Sequence, residues 1–390
     1  MKLLHTSDWH IGQQLFGYDR IAEHRYFFDQ LAKIVDSEKP DIMVVSGDVF
    51  HVSTPSADAL RLFVEGMLDV CSRHTSMRTF VTAGNHDSAM RLEADKTLWR
   101  DKNVEIVGVF PRTESGDLAP EQFVKKVDGT AIVAAVPFVS PRFANFAKLY
   151  ERIDEEVRRI NEDGLPVIYM SHTTAGSAEE WRGGNGDDEI GGVDFTPLKD
   201  LGAEYDYLAL GHIHMPQSIK GSQGKARYCG SPIAVSFDET HPHGVDIVTV
   251  EHGSLPDVAT IRIKQKREVL TLPREAAPFS EAIKTLQSLP PEREDYIRLN
   301  VLVDNFLSQD CQNQVDEIVK DKKCRFCQIM TTRKENANTG SKKSFTLSEF
   351  QEIKPIDIAR LEYKRKTGEE MTADIAELLK TVIEEAENNE

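Results

Sequence analysis

The feature that most constrains this chain is a series of five short clusters rich in Asp, Asn and His. The clusters are Asp8-Trp9-His10, Gly47-Asp48, Gly84-Asn85-His86-Asp87, Ser171-His172 and Gly211-His212-Ile213-His214. Four of the five directly follow a strand-like run, and strand ends in an open α/β sheet converge on one crevice. Side chains that lie far apart in the sequence can therefore meet around one or two metal ions.

Apolar runs of strand length alternate with helical patterns over residues 1–270. The strand-like runs are residues 42–46, 79–82, 131–136, 166–170 and 207–210. They are apolar without alternation, which is typical of strands in a sheet that is covered on both faces. Residues 25–37 and 57–72 show helical spacing, and residues 238–263 indicate a further β-rich region. This order predicts an α/β fold in which a second sheet packs on the first.

Changes of composition divide the chain into three predicted segments. Residues 1–270 hold the clusters, and two prolines between 272 and 278 mark a boundary. Residues 271–345 predict a small α+β domain, with helices at 279–289 and 309–320 and strands at 295–303 and 325–332. Residues 346–390 predict a tail of two amphipathic helices, whose short apolar faces need another surface to cover them.

The net charge of −17 argues only weakly against a nucleic-acid partner, because the acids are unevenly distributed. Residues 346–390 alone contribute −6, while basic residues cluster at 320–325 and 342–343. Phosphate binding requires Lys and Arg, but carboxylates at a metal site count as acidic until their cations bind. The charge therefore does not exclude DNA.

The sequence lacks the usual features of membrane, secreted and disulfide-rich proteins. There is no run of about 18 apolar residues, so neither a transmembrane helix nor a membrane partner is expected. The first residues lead into the first cluster without the features of a signal peptide, which predicts a cytoplasmic protein. Cys324 and Cys327 form one CxxC pair without a second pair at zinc-finger spacing, so we expect reduced thiols.

The first two clusters offer carboxylate and imidazole donors, although each is weak evidence taken singly. Asp8 and His10 form a donor pair that suits Mn²⁺, Fe or Zn better than Mg²⁺ alone. Asp48 follows Gly47 at a strand end, where glycine allows a sharp turn of the backbone. Its carboxylate can bridge two cations, although an Asp at such a turn is also common without a metal.

The third cluster is more specific, because it places an amide, an imidazole and a carboxylate on one turn. Asn85 is a weak ligand alone and makes sense beside stronger ones. His86 need not contact a metal and could give a proton to a leaving oxygen. Asp87 could orient that imidazole, as carboxylates orient histidines near metal sites.

Three histidines complete the series after two later strands. His172 ends one strand, and His212 and His214 follow the next in a G-H-x-H pair. In an extended chain residues i and i+2 point the same way, so both rings of the pair could face the crevice. A single histidine at a strand end is more often structural, but three in this order favour metal ligands.

The order D-x-H, G-D, G-N-H-D, H and G-H-x-H resembles the calcineurin-like metallophosphoesterase superfamily. The resemblance implies a two-sheet sandwich flanked by helices, with two metal ions about 3.5–4 Å apart that clamp a phosphate and activate a water. His86 would be the general acid. One ion would be held by Asp8, His10, Asp48 and His214, and the other by Asp48, Asn85, His172 and His212.

The flanking residues resemble one branch of that superfamily, the SbcD nucleases. The likeness rests on residues 2–12, on Gly47-Asp48-Val49-Phe50-His51 and on residues 228–232. It implies a nuclease subunit that degrades duplex DNA ends 3′ to 5′ and cuts single strands and hairpins, in DNA repair and recombination. Mn²⁺ would be the usual activator, with Mg²⁺ or Fe as alternatives. His51 would steer the phosphate or support the site, unless it is a partly exposed loop residue.

The same resemblance implies partners. The tail would bind the coiled-coil base of the ATPase SbcC, and the chain would form a homodimer within a heterotetramer associated with the nucleoid. Leu60, Phe63 and Met67 are candidate dimer contacts, unless they pack into the chain's own core.

Two other functions stay open. A small-molecule phosphodiesterase on the same site rarely needs a capping domain or tail, and a non-catalytic DNA-end scaffold would not need every ligand position filled.

Overall fold

The structure is a computed structural model that describes residues 1–140, 145–176, 195–304, 307–308, 310–333 and 371–372. Residues 1–333 form one compact unit. The helices predicted for the tail lie outside the described residues, except for positions 371–372. Among the helices of the described ranges, none combines the length and apolar character needed to cross a membrane.

The described residues form strands and helices in the following chain order. The strands are β1 Lys2–Thr6, β2 Gln14–Leu15, β3 Tyr18–Asp19, β4 Ile42–Ser46, β5 Arg78–Thr82, β6 Val104–Val107, β7 Val124–Val127, β8 Ala131–Ala135, β9 Val167–His172, β10 Tyr207–Gly211, β11 Gln217–Ser218, β12 Ala226–Tyr228, β13 Gly244–Thr249, β14 Asp257–Arg262, β15 Val269–Ala277, β16 Tyr296–Val303 and β17 Arg325–Arg333. The helices are α1 Ile21–Glu38, α2 Ala57–Arg73, α3 Ala89–Leu92, α4 Lys96–Arg100, α5 Phe146–Ile160, α6 Phe279–Ser288 and α7 Asp310–Val319.

Two six-stranded sheets carry the residue clusters. The first has the order β14-β13-β1-β4-β5-β6, and the second has the order β11-β12-β10-β9-β8-β7. Strands β1, β4, β5 and β6 run parallel in the first sheet. Strands β8, β9, β10 and β12 run parallel in the second. Their carboxyl ends therefore lie along one edge of each sheet, which is where the clusters follow the strands.

Strand β4 illustrates why these strands are apolar without alternation. Ile42 and Val44 pack in a core that they share with residues of the second sheet. Met43 and Val45 pack in a different core with residues of α1 and α2. Because successive side chains of a strand point to opposite faces, both faces of β4 are buried. The predicted sandwich of two sheets with helices outside is confirmed.

Helix α2 presents its apolar face to the chain's own core. The Phe63 ring contacts the rings of Trp9, Phe50 and Trp99, and Met67 is fully buried. The hypothesis that Phe63 and Met67 contact a second copy is therefore wrong, because neither side chain is accessible. Leu60 is partly buried against the same core. The apolar residues that this helix exposes are instead Val64 and Leu68.

A third sheet of order β15-β16-β17 packs with α6 and α7. These helices and the strands β16 and β17 match the pattern predicted between residues 279 and 332. The sequence pattern does not predict β15, because Pro273 lies inside it and indicates a boundary instead. β15 pairs with β16 at the edge of the sheet, where a proline without an N–H is tolerated. The domain boundaries at 270 and 345 stay predictions.

Buried polar contacts join the third sheet to helix α1. The Glu23 carboxylate accepts a hydrogen bond from the Tyr296 hydroxyl at 2.7 Å and from the Arg267 guanidinium at 3.0 Å. Arg20 is fully buried, and its guanidinium lies 5.3 Å from the centre of the Tyr296 ring. Arg20 therefore belongs to the contact between α1 and the third sheet.

Candidate metal centre

The seven predicted ligands converge on one site. They follow β1, β4 and β5 of the first sheet, and they end β9 or follow β10 of the second. Direct contacts between their side chains connect six of them, and candidate ligand atoms of the seventh, Asp8, lie within 4.8 Å of those of His10 and His214. The seven are Asp8, His10, Asp48, Asn85, His172, His212 and His214.

Asp48 lies between the two predicted groups of ligands. Its Oδ2 atom is 3.4 Å from His172 Nε2 and 3.7 Å from His10 Nε2. The other oxygen, Oδ1, accepts a hydrogen bond from the backbone N–H of His86 at 2.9 Å. One carboxylate oxygen thus faces a histidine from each group, as a ligand shared by both groups would.

The first group contains Asp8, His10 and His214. The Nε2 atoms of the two histidines lie 3.0 Å apart. The carboxylate oxygens of Asp8 accept hydrogen bonds from the His212 backbone N–H at 3.0 and 3.2 Å. Candidate ligand atoms of Asp8, His10 and His214 all lie within 4.8 Å of one another. This spacing fits a single cation among them.

The second group is centred on the side-chain oxygen of Asn85. Asn85 Oδ1 is 2.9 Å from His172 Nε2 and 3.0 Å from His212 Nδ1. The other nitrogen of His172, Nδ1, donates to the Ser46 carbonyl at 2.8 Å, which leaves the Nε2 lone pair directed at the site. The amide oxygen and two imidazole nitrogens therefore face one another, together with Asp48.

Left-handed backbone conformations occur at four of the seven ligands. The φ angles are 53° at Asp8, 47° at His10, 50° at Asp48 and 101° at His212. Such angles in residues other than glycine cost of order 1–3 kcal/mol each and cluster at functional sites. His212 and His214 both reach the site, but the chain between them is not extended as predicted, because His212 turns the backbone at the end of β10.

Glycines keep the ligand loops close together. A Cβ atom on Gly84 would lie 2.0 Å from Asp48 Oδ1, and one on Gly211 would lie 1.8 Å from the Ser46 carbonyl oxygen. Gly47 adopts φ 85°, and a Cβ there would lie 2.3 Å from His172 Nδ1. The glycine in each of these three clusters therefore allows two strand ends to approach one another, in addition to the turn predicted at Gly47.

His86 lies beside the ligands with its ring partly open to solvent. Its Nε2 atom is 4.0 Å from Asp48 Oδ2, and 36% of the side chain is exposed. Its Nδ1 atom donates to the backbone carbonyl of His51 at 2.9 Å. The His51 ring stacks on the His86 ring at a centroid distance of 5.6 Å, and His51 Nδ1 lies 3.4 Å from His10 Nδ1. His51 thus supports the His86 ring with both its backbone and its side chain.

Asp87 has a different contact pattern from the one predicted. Its carboxylate accepts hydrogen bonds from the backbone N–H groups of Gly84, Val49 and Phe50 at 2.9, 3.1 and 2.8 Å. The His86 Nδ1 atom is paired with the His51 carbonyl, so the hypothesis that Asp87 orients this imidazole is wrong. Asp87 instead joins the loop after β4 to the loop after β5. Burial and the neighbouring Asp48 raise the pKa of Asp87 to about 6.

The charges of the site balance around the buried Asp48. Burial raises the pKa of Asp48, but His172, His10 and His86 outweigh burial and hold it well below its ordinary value. Burial lowers the pKa of His172, but Asp48 raises it to a net value of about 9. Burial, followed by the neighbouring His172, lowers the pKa of His212 to about 3. Cations bound here would take the place of protons on the imidazoles.

Glu239 belongs to the site although no motif in the sequence indicates it. Its Oε1 atom lies 2.8 Å from His214 Nδ1, across 25 residues of sequence. Burial lowers the pKa of His214, but the hydrogen bond to Glu239 raises it to a net value of about 8. A carboxylate that pairs with a ligand histidine is a common feature of metal sites. An acid shortly after the last cluster is the only sequence signal for it.

His24 supports the loop of the first cluster through hydrogen bonds to the backbone. Its two ring nitrogens each lie 2.9 Å from a backbone carbonyl oxygen, that of Arg20 and that of Trp9. Trp9 sits between the ligands Asp8 and His10, and its indole N–H donates to Thr6 Oγ1 at 2.8 Å. His24 therefore holds the loop that carries two ligands and has no contact with the ligands' own donor atoms.

The residues present fit two divalent cations. Two groups of candidate ligand atoms, Asp8 with His10 and His214, and Asp8 with Asp48 and His172, each lie within 4.8 Å. The combined donor set of carboxylates, imidazoles and one amide oxygen suits first-row transition metals. Ser46 and Glu239 fix the remaining nitrogens of His172 and His214, so that their Nε2 atoms stay directed at the site.

Comparison with known families agrees with this geometry. Residues 1–216 match a family model described as calcineurin-like phosphoesterase. Residues 265–367 match a second model, described as Type 5 capsule protein repressor C-terminal domain. The first match covers all the predicted ligands, and the second begins just before strand β15 of the third sheet.

Curated relatives named as the SbcD component of the nuclease SbcCD cover most of the chain. The protein from Rhodobacter capsulatus is 33% identical over 75% of this chain and 77% of its own length. The one from Escherichia coli strain K12 is 28% identical over 90% of each chain. The one from Bacillus subtilis strain 168 is 34% identical over 65% of this chain and 67% of its own length. The chain therefore belongs to the calcineurin-like phosphoesterase family and, within it, to the SbcD nucleases.

Proposed function

We propose that this protein is the nuclease subunit of an SbcCD complex and hydrolyses phosphodiester bonds in DNA. Its substrates are duplex ends, degraded 3′ to 5′, and single strands and hairpins, cut internally during DNA repair and recombination. One observation carries the proposal most directly. Asp48 Oδ2 faces both ligand groups, and the partly exposed His86 ring lies 4.0 Å from the same atom. A phosphodiester at this point meets the ligand groups and a proton donor together.

The cofactors of this reaction are two divalent cations, with Mn²⁺ as the usual activator and Mg²⁺ or Fe as alternatives. When bound, they supply Lewis acidity toward the phosphate and activate a water nucleophile. Asp8, His10, Asp48 and His214 would hold one cation, and Asp48, Asn85, His172 and His212 would hold the other. Mixed oxygen and imidazole donors favour Mn²⁺ over Mg²⁺, which prefers oxygen ligands and retains more of its waters.

His86 acts as the general acid that donates a proton to the leaving sugar oxygen. Its Nδ1–H bond to the His51 carbonyl fixes the ring plane, so that Nε2 stays on the side of Asp48. A general acid in this position lowers the barrier for departure of the alkoxide and contributes about 10² to 10⁴ in rate. His51 keeps the ring in place by stacking, and Asp87 keeps the two loops together.

Two basic residues in the loop between α7 and β17 are engaged within the protein. Lys322 Nζ donates to the Gln287 carbonyl at 3.0 Å and also to the Leu289 carbonyl, at the end of α6. Lys323 Nζ pairs with Glu292 at 2.7 Å. These contacts indicate that both lysines are ordinary surface residues and not phosphate ligands. We therefore assign the phosphate contacts beyond the metal centre to other surfaces of the complex.

The assembly that we propose has three parts. Residues 271–345 form a cap beside the metal centre, and residues 346–390 bind the ATPase SbcC. A second copy of this chain packs on the exposed face of α2, where Val64 and Leu68 are accessible. The resulting heterotetramer acts on nucleoid DNA in the cytoplasm. Deletion of residues 346–390 is expected to abolish capture of SbcC, and full retention of SbcC by the truncated protein would contradict this assignment.

A digestion experiment tests the proposed activity. End-labelled duplex and hairpin DNA are incubated with the full chain and Mn²⁺, with and without SbcC, and with EDTA as the control. We expect Mn²⁺-dependent shortening of duplex ends and cutting at hairpins, stimulated by SbcC and ATP. Hydrolysis of a simple aryl phosphodiester with all DNA intact would favour the small-molecule phosphodiesterase instead. Activity that is unchanged in His86→Ala would contradict the catalytic role of this residue.

A further inference from the structure

The loop formed by residues 231–243 connects the metal centre to the third sheet. We propose that Glu239, in this loop, is a positioning residue that orients His214 toward its cation. We further propose that Arg298 of the third sheet holds the loop in the required place. The inference rests on the proposed dimetal function and goes beyond it, because it assigns a route by which the third sheet affects the metal centre.

The contact between Glu239 and His214 fixes how the imidazole ring is used. The carboxylate can only accept, so the 2.8 Å contact between Oε1 and Nδ1 places the proton of the ring on Nδ1. The lone pair is then on Nε2, which lies 3.0 Å from His10 Nε2 at the centre of the first group. Glu239 thereby selects the tautomer and the ring orientation that a metal ligand requires.

The carboxylate itself has little freedom to move. Its Oε2 atom accepts hydrogen bonds from Ser231 Oγ at 3.0 Å and from the Val235 backbone N–H at 3.1 Å. Only 2% of the Glu239 side chain is exposed. Both oxygens are therefore held, and a shift of the loop would move the His214 ring with them.

A residue of the third sheet also holds this loop, at Asp238, the residue next to Glu239. The Arg298 guanidinium donates to Asp238 Oδ1 at 2.9 Å and to the Phe237 carbonyl at 3.4 Å. It also lies 5.0 Å from the centre of the Phe237 ring. Arg298 is largely buried on strand β16, so a movement of that strand is transmitted to the residue next to Glu239.

From the other side, residues near the first cluster hold the same loop. Arg20 Nη1 donates to the Ala234 carbonyl, and Gln13 Nε2 donates to the Val235 carbonyl, each at 2.5 Å. Gln13 lies three residues after the ligand His10. The loop is therefore attached at once to the first cluster, to His214 and to the third sheet.

A separate metal site at Glu239, His241 and His243 is the alternative use of this loop, because their candidate ligand atoms also lie within 4.8 Å. The existing contacts disfavour it. His241 Nε2 pairs with the His214 carbonyl at 2.9 Å, and His243 Nδ1 pairs with the Ser231 carbonyl at 2.9 Å. A cation here would compete with His214 for the Glu239 carboxylate, whose two oxygens are already paired with His214, Ser231 and Val235.

The test measures Mn²⁺ binding to the full chain by electron paramagnetic resonance, independently of nuclease activity. The variants are Glu239→Gln, Glu239→Ala, Arg298→Leu and the exposed control Glu251→Gln. We expect Glu239→Gln to weaken one of two Mn²⁺ sites about 10-fold or more, Glu239→Ala to weaken it further, and Glu251→Gln to match wild type. Circular dichroism in EDTA checks that each variant is folded, and Glu239→Gln remains informative if Glu239→Ala is not.

Two further readouts separate positioning from a general structural role. Excess Mn²⁺ should restore the activity of Glu239→Gln, whereas a misfolded site would not be rescued by the cation. The Arg298→Leu variant should weaken the same Mn²⁺ site by a smaller factor. In the double variant Glu239→Gln/Arg298→Leu, Mn²⁺ affinity should then fall by less than the product of the two single losses, because both residues act through one loop. Multiplicative losses would overturn the coupling to the third sheet.

The outcomes also distinguish this inference from the proposed function. A wild-type chain that binds no Mn²⁺ would contradict the dimetal function itself. A wild-type chain that binds two Mn²⁺ ions, with the same affinities in Glu239→Gln, would overturn only the positioning role. A third Mn²⁺ ion that is lost in His241→Ala and His243→Ala would support the separate metal site instead.

Discussion

Asp48 Oδ2 lies 3.4 Å from the Nε2 atom of His172, at the point where the two sheets bring their strand ends together. Asp48 follows β4 of the first sheet, and His172 ends β9 of the second. The contact exists only because the two sheets pack face to face. The geometry of the metal centre therefore depends on how the two sheets pack. Changes at this contact should affect binding of both cations.

Asp48→Asn should disable both cation positions, because the same oxygen also lies 3.7 Å from His10 Nε2. An amide keeps the shape but removes the charge that binds divalent cations. We expect Mn²⁺ affinity and nuclease activity each to fall by at least about 100-fold. Mutation of a residue that only orients a metal ligand typically costs about 10- to 100-fold, and loss of a ligand should cost at least as much. Calorimetric Mn²⁺ titration provides the measurement. Asp36→Asn, on the exposed side of α1, is the matched control, and retention of two wild-type Mn²⁺ sites in Asp48→Asn would refute a bridging role.

Gly84→Ala should disturb the site without removing any ligand side chain. A Cβ atom would lie 2.0 Å from Asp48 Oδ1 and 2.3 Å from the Asp48 backbone nitrogen. The loop after β5 must then move away from the loop after β4, and we expect a destabilisation of about 1–3 kcal/mol together with weaker Mn²⁺ binding. Urea unfolding in EDTA and Mn²⁺ titration measure the two effects.

Gly221→Ala serves as the comparison for that substitution. Gly221 adopts φ 81°, and a Cβ there would meet nothing within 4 Å. Its cost should be only the backbone term of about 1–2 kcal/mol, with Mn²⁺ binding unchanged. Equal effects of the two alanines on Mn²⁺ affinity would argue against close packing of the ligand loops as the cause.

His86→Ala should reduce the turnover of DNA by about 10² or more while Mn²⁺ affinity stays close to wild type. The reason is that the proposed role of His86 is proton transfer to the leaving oxygen, while the seven other side chains would hold the cations. A substrate with an aryl leaving group needs no proton donor, so the same variant should hydrolyse an aryl ester of thymidine phosphate nearly normally. His74→Ala, at the solvent-exposed end of α2, is the control. An equal loss on both substrates would count against general acid catalysis.

His24 should make the stability of the protein sensitive to mild acid. Burial and the neighbouring Arg20 lower its pKa to about 4, from an ordinary value of 6.5. A histidine with a lowered pKa binds its proton more readily in the unfolded chain, so stability is retained above pH 6.5 and is lost as the pH falls toward 4. The full titration corresponds to roughly 3 kcal/mol.

His24→Gln tests this dependence. The variant should be less stable than wild type at pH 7, because the ring pairs with two carbonyls, but its stability should fall less steeply between pH 6.5 and 4. Urea unfolding in EDTA at pH 7.0, 5.5 and 4.5 gives the slopes. His74→Gln, at the C-terminal end of α2, is the comparison, and parallel slopes for His24→Gln and wild type would rule out the proposed titration.

The spacing of short polar clusters after apolar runs was sufficient to predict most of the site. Asp8, Asp48 and His172 could be predicted as neighbours because parallel strands end at one edge of a sheet, whatever the details of packing. Strand β15 and the exposed face of α2 could not be predicted in this way. A proline at a sheet edge and a boundary proline have the same sequence signature, and both faces of α2 are rich in apolar residues.

The sequence by itself determined the alternation of strands and helices, the ligand types and their order, because these follow from local hydrophobic periodicity and donor chemistry. Only the tertiary structure decided that Asp87 binds backbone amides rather than His86, and that Glu239 pairs with His214 across 25 residues. Those contacts depend on where loops from different strands come to lie. That placement is set by the packing of the two sheets and the third, which no local pattern encodes.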